Sequence, residues 1–477
     1  MSDGQIIIVG GGTAGCVAAY HLANQGSDVT IVEHPHGKTL SQNHRRPANW
    51  LRLLGGTDDY DFTTQAVDEL AGRSIVWPRG RGLGGSSRIN AMIWFPPTDH
   101  DIETLSSVID DFSAAELRGF YSLTKSLVQP EPPRWLSESS QRFLQSAASC
   151  GYSPMTYDRI NREGVRWTPA ELLKGTNVKV VQGIVDRIGF DNDRATTVCL
   201  DDGQVMKASE RIILSAGAIG TPAILMRSGI GPPDLLSAIG IDVRHACTQI
   251  GANLQDHLVM PVVFRVQDEG RFLATPTTQD VTAWQSTGQG PIASNIAECG
   301  GLFDDNKIQI HTTPTHWLKY PKVDRAAMTI AVSVTLPESR GRLVVISPES
   351  HVAPVISPAY LQSPSDLQQT IDAVRIARKI ASTGPLADWC TQELLPGSKR
   401  ESDESIARSI RHYAQTLFHC LGTCAMGSSD RSPVDKNAFV RGAENLQVID
   451  ASILPQSTAG NPSSIVMTLA TALTHQS

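Results

Sequence analysis

Long hydrophobic runs are missing from this sequence. None of its 477 residues lies in a stretch approaching the roughly 20 consecutive apolar residues that cross a bilayer, so no membrane span is expected. A strong charge of either sign is also missing. Lys and Arg number 41 and Asp and Glu 48, a formal net charge of −7, which argues against nucleic acid and against an anionic membrane surface as partners. The eight cysteines (16, 150, 199, 247, 299, 390, 420 and 424) are scattered, and only Cys420 and Cys424 lie close together. No Cys/His group has metal-binding spacing, so no metal is expected, and the thiols read as the reduced cysteines of a cytoplasmic protein. Met1-Ser2-Asp3 leads almost at once into a strand-like run, which leaves no room for a signal peptide. Internal repeats and low-complexity tracts are absent. The length exceeds one compact core and points to two domains, or to one elaborated by insertions.

What is present begins at the N-terminus. The run Gln5-Ile-Ile-Ile-Val meets Gly10-x-Gly12-x-x-Gly15, a helix-like segment follows, and a second apolar run ends on Glu33. This pattern predicts a βαβ unit that holds a dinucleotide. Gly10 permits the tight turn, Gly12 lets backbone approach a pyrophosphate, and Gly15 lets helix and strand pack closely. Thr13 and Ala14 open the helix, whose N-terminus offers free N–H groups and a positive dipole end to phosphates. Glu33 stands where an acid reaches ribose hydroxyls.

Further along, Gly80-Arg81-Gly82-Leu-Gly84-Gly85-Ser86-Ser87 leads to Asn90-Ala91-Met92. So small a segment brings backbone N–H groups against an anion or a flat ring. Residues 98–171 read as mostly helical and polar. Strand-like runs at Asn177–Gly183, Val185–Ile188, Thr197–Leu200 and Arg211–Leu214 read as a meander returning to the first sheet. Further strands are expected at Val259–Phe264, Met328–Val334 and Arg342–Ile346, and a long helix from Ser365 to Thr383. Three more motifs follow the same logic: Ala216-Gly217 with Thr221-Pro222; Phe418-His419-Cys420-Leu-Gly422-Thr423; and Asp450-Ala451-Ser452 followed by Gly460-Asn461-Pro462.

Together with Asn253-Leu-Gln-Asp256-His257 and Ser339-Arg-Gly-Arg-Leu343, these motifs resemble the glucose–methanol–choline (GMC) oxidoreductases along essentially the whole chain. The resemblance implies an α/β (α+β) fold. A Rossmann-type FAD-binding domain would be interleaved with a substrate domain whose antiparallel sheet is flanked by helices. It divides the chain into FAD-binding segments 1–97, 176–258 and 418–477, lid and substrate-domain elements 98–175, and a substrate-binding segment 259–417. It implies oxidation of an alcohol, hydroxymethyl or secondary, by hydride transfer to flavin N5, with O2 or another molecule as electron acceptor. A non-redox flavin-containing lyase or a catalytically silent flavin-binding protein of the same fold are the alternatives.

Residue by residue, the resemblance puts His419 at the catalytic histidine and Asn461 at the second catalytic position. It puts Asp450 and Ala451 at the second phosphate and ribityl contact, Val185 at the adenine, Asn90 to Met92 beside the isoalloxazine ring, and Pro462 at a helix start facing the flavin. Gly10, Gly12, Thr13, Ala14, Gly15, Glu33, Arg81, Gly84, Gly85, Ser86, Ala216 and Gly217 complete the cofactor set. Asn461 also reads locally as an N-cap and Pro462 as the first residue of a helix over Ser464–Leu473. The chain departs from the family in being short after Met92 and in carrying Pro96-Pro97 where many relatives have Arg-Gly. Ile89 stands near the position of a flavin-linking histidine, so non-covalent FAD is expected. The substrate would be read by segments 260–345 and by the region after Met92, with Trp94, Phe95, His311, His316 and Trp317 as candidates; His257 reads as structural.

The chemistry suits these groups. An alcohol is a poor hydride donor until deprotonated, an imidazole takes such a proton near neutral pH, and an amide donor steadies the developing alkoxide.

Overall fold

A computed structural model describes residues 5–35, 40–109, 112–267, 276–323 and 325–475; the first residues, Met1 to Asp3, lie outside them. Strand β1 (Gln5–Val9), helix α1 (Thr13–Asn24) and strand β2 (Asp28–Glu33) form the expected βαβ unit, with both strands parallel. Ile6, Ile7 and Ile8 are all fully buried, as befits a parallel strand covered on both faces. At Gly15 a Cβ would stand 2.0 Å from the Gly10 carbonyl oxygen, so only glycine lets α1 settle on this turn.

Of the longer helices, α2 (Ala114–Val128) and α3 (Glu138–Ser149) come next, capped by Ser113 and Ser137, whose hydroxyls accept from the N–H groups of Glu116 and Ser140. Strand β3 (Lys179–Gln182) then pairs parallel with β2. Strands β4 (Val185–Asp191), β5 (Arg194–Leu200) and β6 (Val205–Lys207) form an antiparallel sheet of their own, and β7 (Arg211–Leu214) rejoins β1. The expected meander is therefore split: only its first and last strands enter the first sheet. Helix α4 (Gly217–Arg227) leaves β7.

A second sheet starts with β8 (Leu258–Val266) and continues with β9 (Cys299–Phe303), β10 (Ile308–Thr313) and β11 (Ala327–Val334). Helix α5 (Pro364–Ala381) packs against β11 and β8, and β12 (Cys390–Leu395) adds an edge. Its order is β12-β8-β11-β10-β9, antiparallel throughout, with Met155–Thr156 beyond β9 and Gln415–Thr416 also on β8. Helix α6 (Asp403–Tyr413) precedes the return to the first sheet, which β13 (Leu446–Val448) completes in the order β3-β2-β1-β7-β13. Helix α7 (Ser463–Thr474) packs on α1 and α2.

Two expectations need correction. The strand expected at Arg342–Ile346 is present but ends at Val344, pairing with Val355–Ser357 in a two-stranded ribbon, and Ile346 is 54% exposed. Asn461 does not cap α7: the N-cap position is Pro462, with no side-chain cap bond, because the Asn461 amide is held by His419 and Gln309.

Candidate active site

A cavity of about 690 Å³ runs between the two sheets. Its first wall is mostly backbone. Gly10 turns the chain at φ +99°. Gly12 begins α1 without a side-chain cap and with no acid in the first turn, leaving the positive end of the helix for an anion. A Cβ at Gly12 would meet only Ser215 O at 3.9 Å and Gly85 Cα at 4.0 Å, so the bareness of Gly12 serves something other than packing. Glu33 is buried. Its Oε2 accepts the Gly11 N–H at 2.6 Å, and Oε1 accepts those of His34 at 2.8 Å and Gly82 at 3.2 Å, tying both glycine loops together. Burial pushes its carboxyl pKa up against those hydrogen bonds. Asp450 does similar work: its carboxylate accepts from the N–H groups of Gly217 and Ser452 and from the Thr221 hydroxyl.

The opposite end gathers side chains from distant segments. Residues 255–259 run antiparallel to 415–421, with Gln255 bridging Leu421 and Leu258 paired with Thr416. This register sets His257 against His419, Nδ1 to Nδ1 at 2.7 Å. His257 Nε2 lies 2.8 Å from Thr335 O and 2.8 Å from Ser457 Oγ. His419 Nε2 lies 3.0 Å from Asn461 Nδ2. Asp256 holds the backbone: its Oδ1 accepts the His419 N–H at 2.7 Å, and Oδ2 accepts the hydroxyls of Thr416 and Tyr360. Arg79 clamps the same strand, donating to Phe418 O at 2.8 Å and to Cys420 Sγ at 2.7 and 3.1 Å. Phe418 sits at φ +67° and Met92 at φ +56°, left-handed conformations of bulky residues that cost on the order of 1–3 kcal/mol each and cluster at functional sites. Burial, then the neighbouring His257, His311 and Arg79, hold the His419 pKa well below the ordinary imidazole value.

Strand β10 supplies the third wall. Its period of two puts Gln309, His311 and Thr313 on one face. Gln309 Nε2 donates to Asn461 Oδ1 at 3.2 Å. His311 and Thr313 line the cavity, and Ala331, the small cross-strand partner of His311, lines it beside them.

The family model described as GMC oxidoreductase matches this chain in two parts, residues 4–259 and 337–470. The chain belongs to the GMC oxidoreductase family. An oxygen-dependent choline dehydrogenase of Pectobacterium atrosepticum is 30% identical over 95% of this chain and 91% of its own. An alcohol dehydrogenase [acceptor] of Pseudomonas putida is 28% identical over 95% and 92%. Among solved structures, pyridoxine 4-oxidase from Mesorbium loti superposes with a TM-score of 0.87 at 26% identity, covering 99% of both chains. The protein is thus a GMC oxidoreductase of the class acting on CH–OH donors, with FAD as its cofactor. The geometry fits that group: an uncapped helix start, a glycine cradle that a Cβ would fill, and a cavity that reaches from Glu33 to His419.

Of the GMC residues picked from the sequence, Gly10, Gly12, Thr13, Ala14, Glu33, Gly85, Ser86, Asn90, Ala91, Met92, Val185, Ala216, Gly217, His419, Asp450, Ala451, Asn461 and Pro462 all line the cavity. Gly15, Arg81 and Gly84 do not. Gly15 serves helix packing, the Gly84 N–H donates to Gly11 O, and Arg81 lies over Tyr60 and donates to Thr57 O. Trp317 and His311 reach the wall, whereas Trp94 and Phe95 are buried in the core beside it. Sequence reading passed over Gln309 and Arg79. The signal for Gln309 was its place two residues before His311 in an alternating strand; for Arg79 there was none beyond adjacency to the glycine loop. All eight cysteines are free, and no helix among the described residues is long and apolar enough to cross a membrane.

Proposed function

We propose that the protein oxidises an uncharged alcohol, hydroxymethyl or secondary, to the aldehyde or ketone, with His419 as the base and Asn461 as its partner at the alcohol oxygen. The observation that carries this reading is the His419 Nε2 to Asn461 Nδ2 pair at 3.0 Å on the cavity wall. The alcohol hydroxyl takes the place of the Asn461 N–H at Nε2 and hands its proton to that nitrogen. The freed amide N–H then donates to the oxygen as negative charge develops there. FAD, when bound, supplies the two-electron acceptance that removes the hydride from the carbinol carbon. Gly12, Thr13, Ala14, Glu33, Asp450 and Ala451 would hold it. Ile89, at the wall in place of a linking histidine, favours non-covalent binding: acid precipitation should release all the flavin into the supernatant.

What supports an uncharged substrate is the wall itself. Its carboxylates among the described residues are Glu33 and Asp450, both held by backbone N–H groups of the dinucleotide half. Its arginines, Arg79 and Arg227, are committed to Cys420 and to Asp186. No carboxylate or guanidinium of the described wall is left to pair with a charged substrate, whereas Trp50, Phe62, Trp317 and Phe418 offer apolar area. His311 adds polarity without charge. It is 4% exposed, both ring nitrogens lack partners, and burial pulls its pKa down to about 3. A neutral imidazole left unpaired costs on the order of 1–3 kcal/mol, which a second polar atom on the substrate would remove. An anaerobic screen of neutral and cationic alcohols against the yellow protein tests this reading. Bleaching by neutral ring-bearing alcohols supports it, and bleaching by a quaternary ammonium alcohol alone overturns it.

A further inference from the structure

Five polar groups form one unbroken line through the cavity wall: Thr335 O, His257, His419, Asn461 and Gln309, with successive separations of 2.8, 2.7, 3.0 and 3.2 Å. Three of the four links join groups that either donate or accept, depending on tautomer or amide orientation. The first link has no such freedom. A backbone carbonyl oxygen carries no hydrogen, so His257 Nε2 must carry one and donate it to Thr335. A neutral His257 then has a bare Nδ1. Nδ1 of His419, 2.7 Å away, must therefore carry the hydrogen of that bond. Nε2 of His419 is left bare and faces Asn461. The group it meets must be the amide NH2, which leaves Oδ1 of Asn461 to accept from Gln309 Nε2. Every direction in the line stems from the one carbonyl.

We propose that His257 is a positioning residue for the reaction: relaying the polarity of the Thr335 carbonyl, it holds His419 in the one tautomer whose lone pair faces the substrate. The proposal rests on the reading of His419 as base. In the opposite tautomer Nε2 would carry a hydrogen, oppose the Asn461 donor, and have no lone pair to receive the alcohol proton.

The surroundings support a neutral relay. His257 is fully buried, and burial lowers its pKa. Of the other groups facing the pair, His311 and Arg79 disfavour a cation, whereas Asp256, Asp101 and the Thr458 carbonyl favour one on His257 but are outweighed by burial; the Asp256 carboxylate is already engaged by the His419 N–H and two hydroxyls. Ser457 Oγ, also 2.8 Å from His257 Nε2, adapts because a hydroxyl accepts as well as donates. The two rings meet edge to face at 84°, which points each Nδ1 at the other while their Nε2 atoms diverge.

Two substitutions separate polarity from packing. Asn in place of His257 keeps a side-chain oxygen able to accept near the position of Nδ1, whereas Leu fills the space and accepts nothing. The first measurement is made on the unaltered holoenzyme: 15N NMR with labelled histidine reports which ring nitrogen of His419 is protonated. The expected spectrum has His419 protonated at Nδ1 and bare at Nε2, and His257 protonated at Nε2. A hydrogen on Nε2 of neutral His419 overturns the proposal, whether or not any variant folds. In anaerobic stopped flow at saturating alcohol, His257→Leu should slow flavin reduction by about 10²–10⁴, the usual worth of general-base assistance. His257→Asn should recover most of that loss. Equal rates for the Leu and Asn variants contradict the relay. Loss of activity in His419→Ala together with equal rates for the Leu and Asn variants at His257 would leave the base standing and remove only the relay.

Discussion

On the parallel-sheet side of the cavity, Gly10, Gly12 and Gly85 present backbone; on the antiparallel side, His311 and Thr313 present side chains, with Gln309 behind Asn461. In the proposed reading the first surface would grip what every catalytic cycle reuses, a cofactor of fixed shape, with N–H groups and a helix end that have fixed positions. The second would meet a substrate and the proton it gives up, and it carries groups whose hydrogens can be rearranged. The difference also appears in how each side tolerates change. A Cβ at Gly15 would lie 2.0 Å from backbone, whereas one at Gly12 has nothing closer than 3.9 Å. One glycine serves the fold, and the other is free to serve a ligand.

The sharpest way to break that contrast is at those two positions. Gly12→Val should fold with an unchanged melting profile as apoprotein but purify colourless, because the branched side chain occupies the cradle; Gly15→Val should fail to accumulate. Yellow Gly12→Val protein with normal flavin content would refute the cradle. Next in size is Asn461→Ala. It keeps FAD and should slow anaerobic flavin reduction by roughly 10- to 100-fold, the worth of one charge-assisted hydrogen bond of about 1.5–3 kcal/mol; a rate within about twofold of the parent would remove Asn461 from the alcohol oxygen. Glu33→Ala should weaken FAD by about 1.5–3 kcal/mol in an apoprotein titration, because the carboxylate ties Gly11 to Gly82 and in the proposed reading would also meet the ribose. Smaller still, His311→Ala should raise KM about 2- to 10-fold for a substrate with a second polar atom, one neutral hydrogen bond's worth, and leave its simple analogue unaffected.

The fold was legible where the chain repeats a local rule. The βαβ unit, α5, β8 and β11 announce themselves by glycine spacing or apolar period, and their limits fall within a few residues of the sequence reading. Strand β10 was not legible because all six of its residues are buried: with Gln309, His311 and Thr313 on one buried face and Thr312 on the other, neither an apolar run nor a solvent-facing polar side remains to be counted. His257 was read as structural for a related reason. Its partner is 162 residues away, and only the antiparallel register of 255–259 against 415–421 brings them together. Asn461 carried a true local signal for capping, but the tertiary contact with His419 took the side chain.

The pH dependence sharpens the catalytic half of the comparison. A histidine whose pKa is lowered keeps its lone pair above that lowered value and loses it only as pH falls below it. Because burial lowers His419 in the free enzyme, kcat/KM for reduction should be level through about pH 6.5, the ordinary imidazole value, and fall only in more acidic solution. A break at or above that value would place the base elsewhere or in a wetter site.

The most direct measurement is anaerobic stopped flow on the parent and on His419→Ala, matched for FAD content, at saturating alcohol. Reduction of the flavin is read before any electron acceptor enters, so the proton and hydride steps are isolated from reoxidation. The expected result is full flavin occupancy in the variant with reduction slowed by about 10²–10⁴. Reduction at the parent's rate in FAD-loaded His419→Ala would contradict the role of His419 as base and leave the cofactor half of the molecule as described.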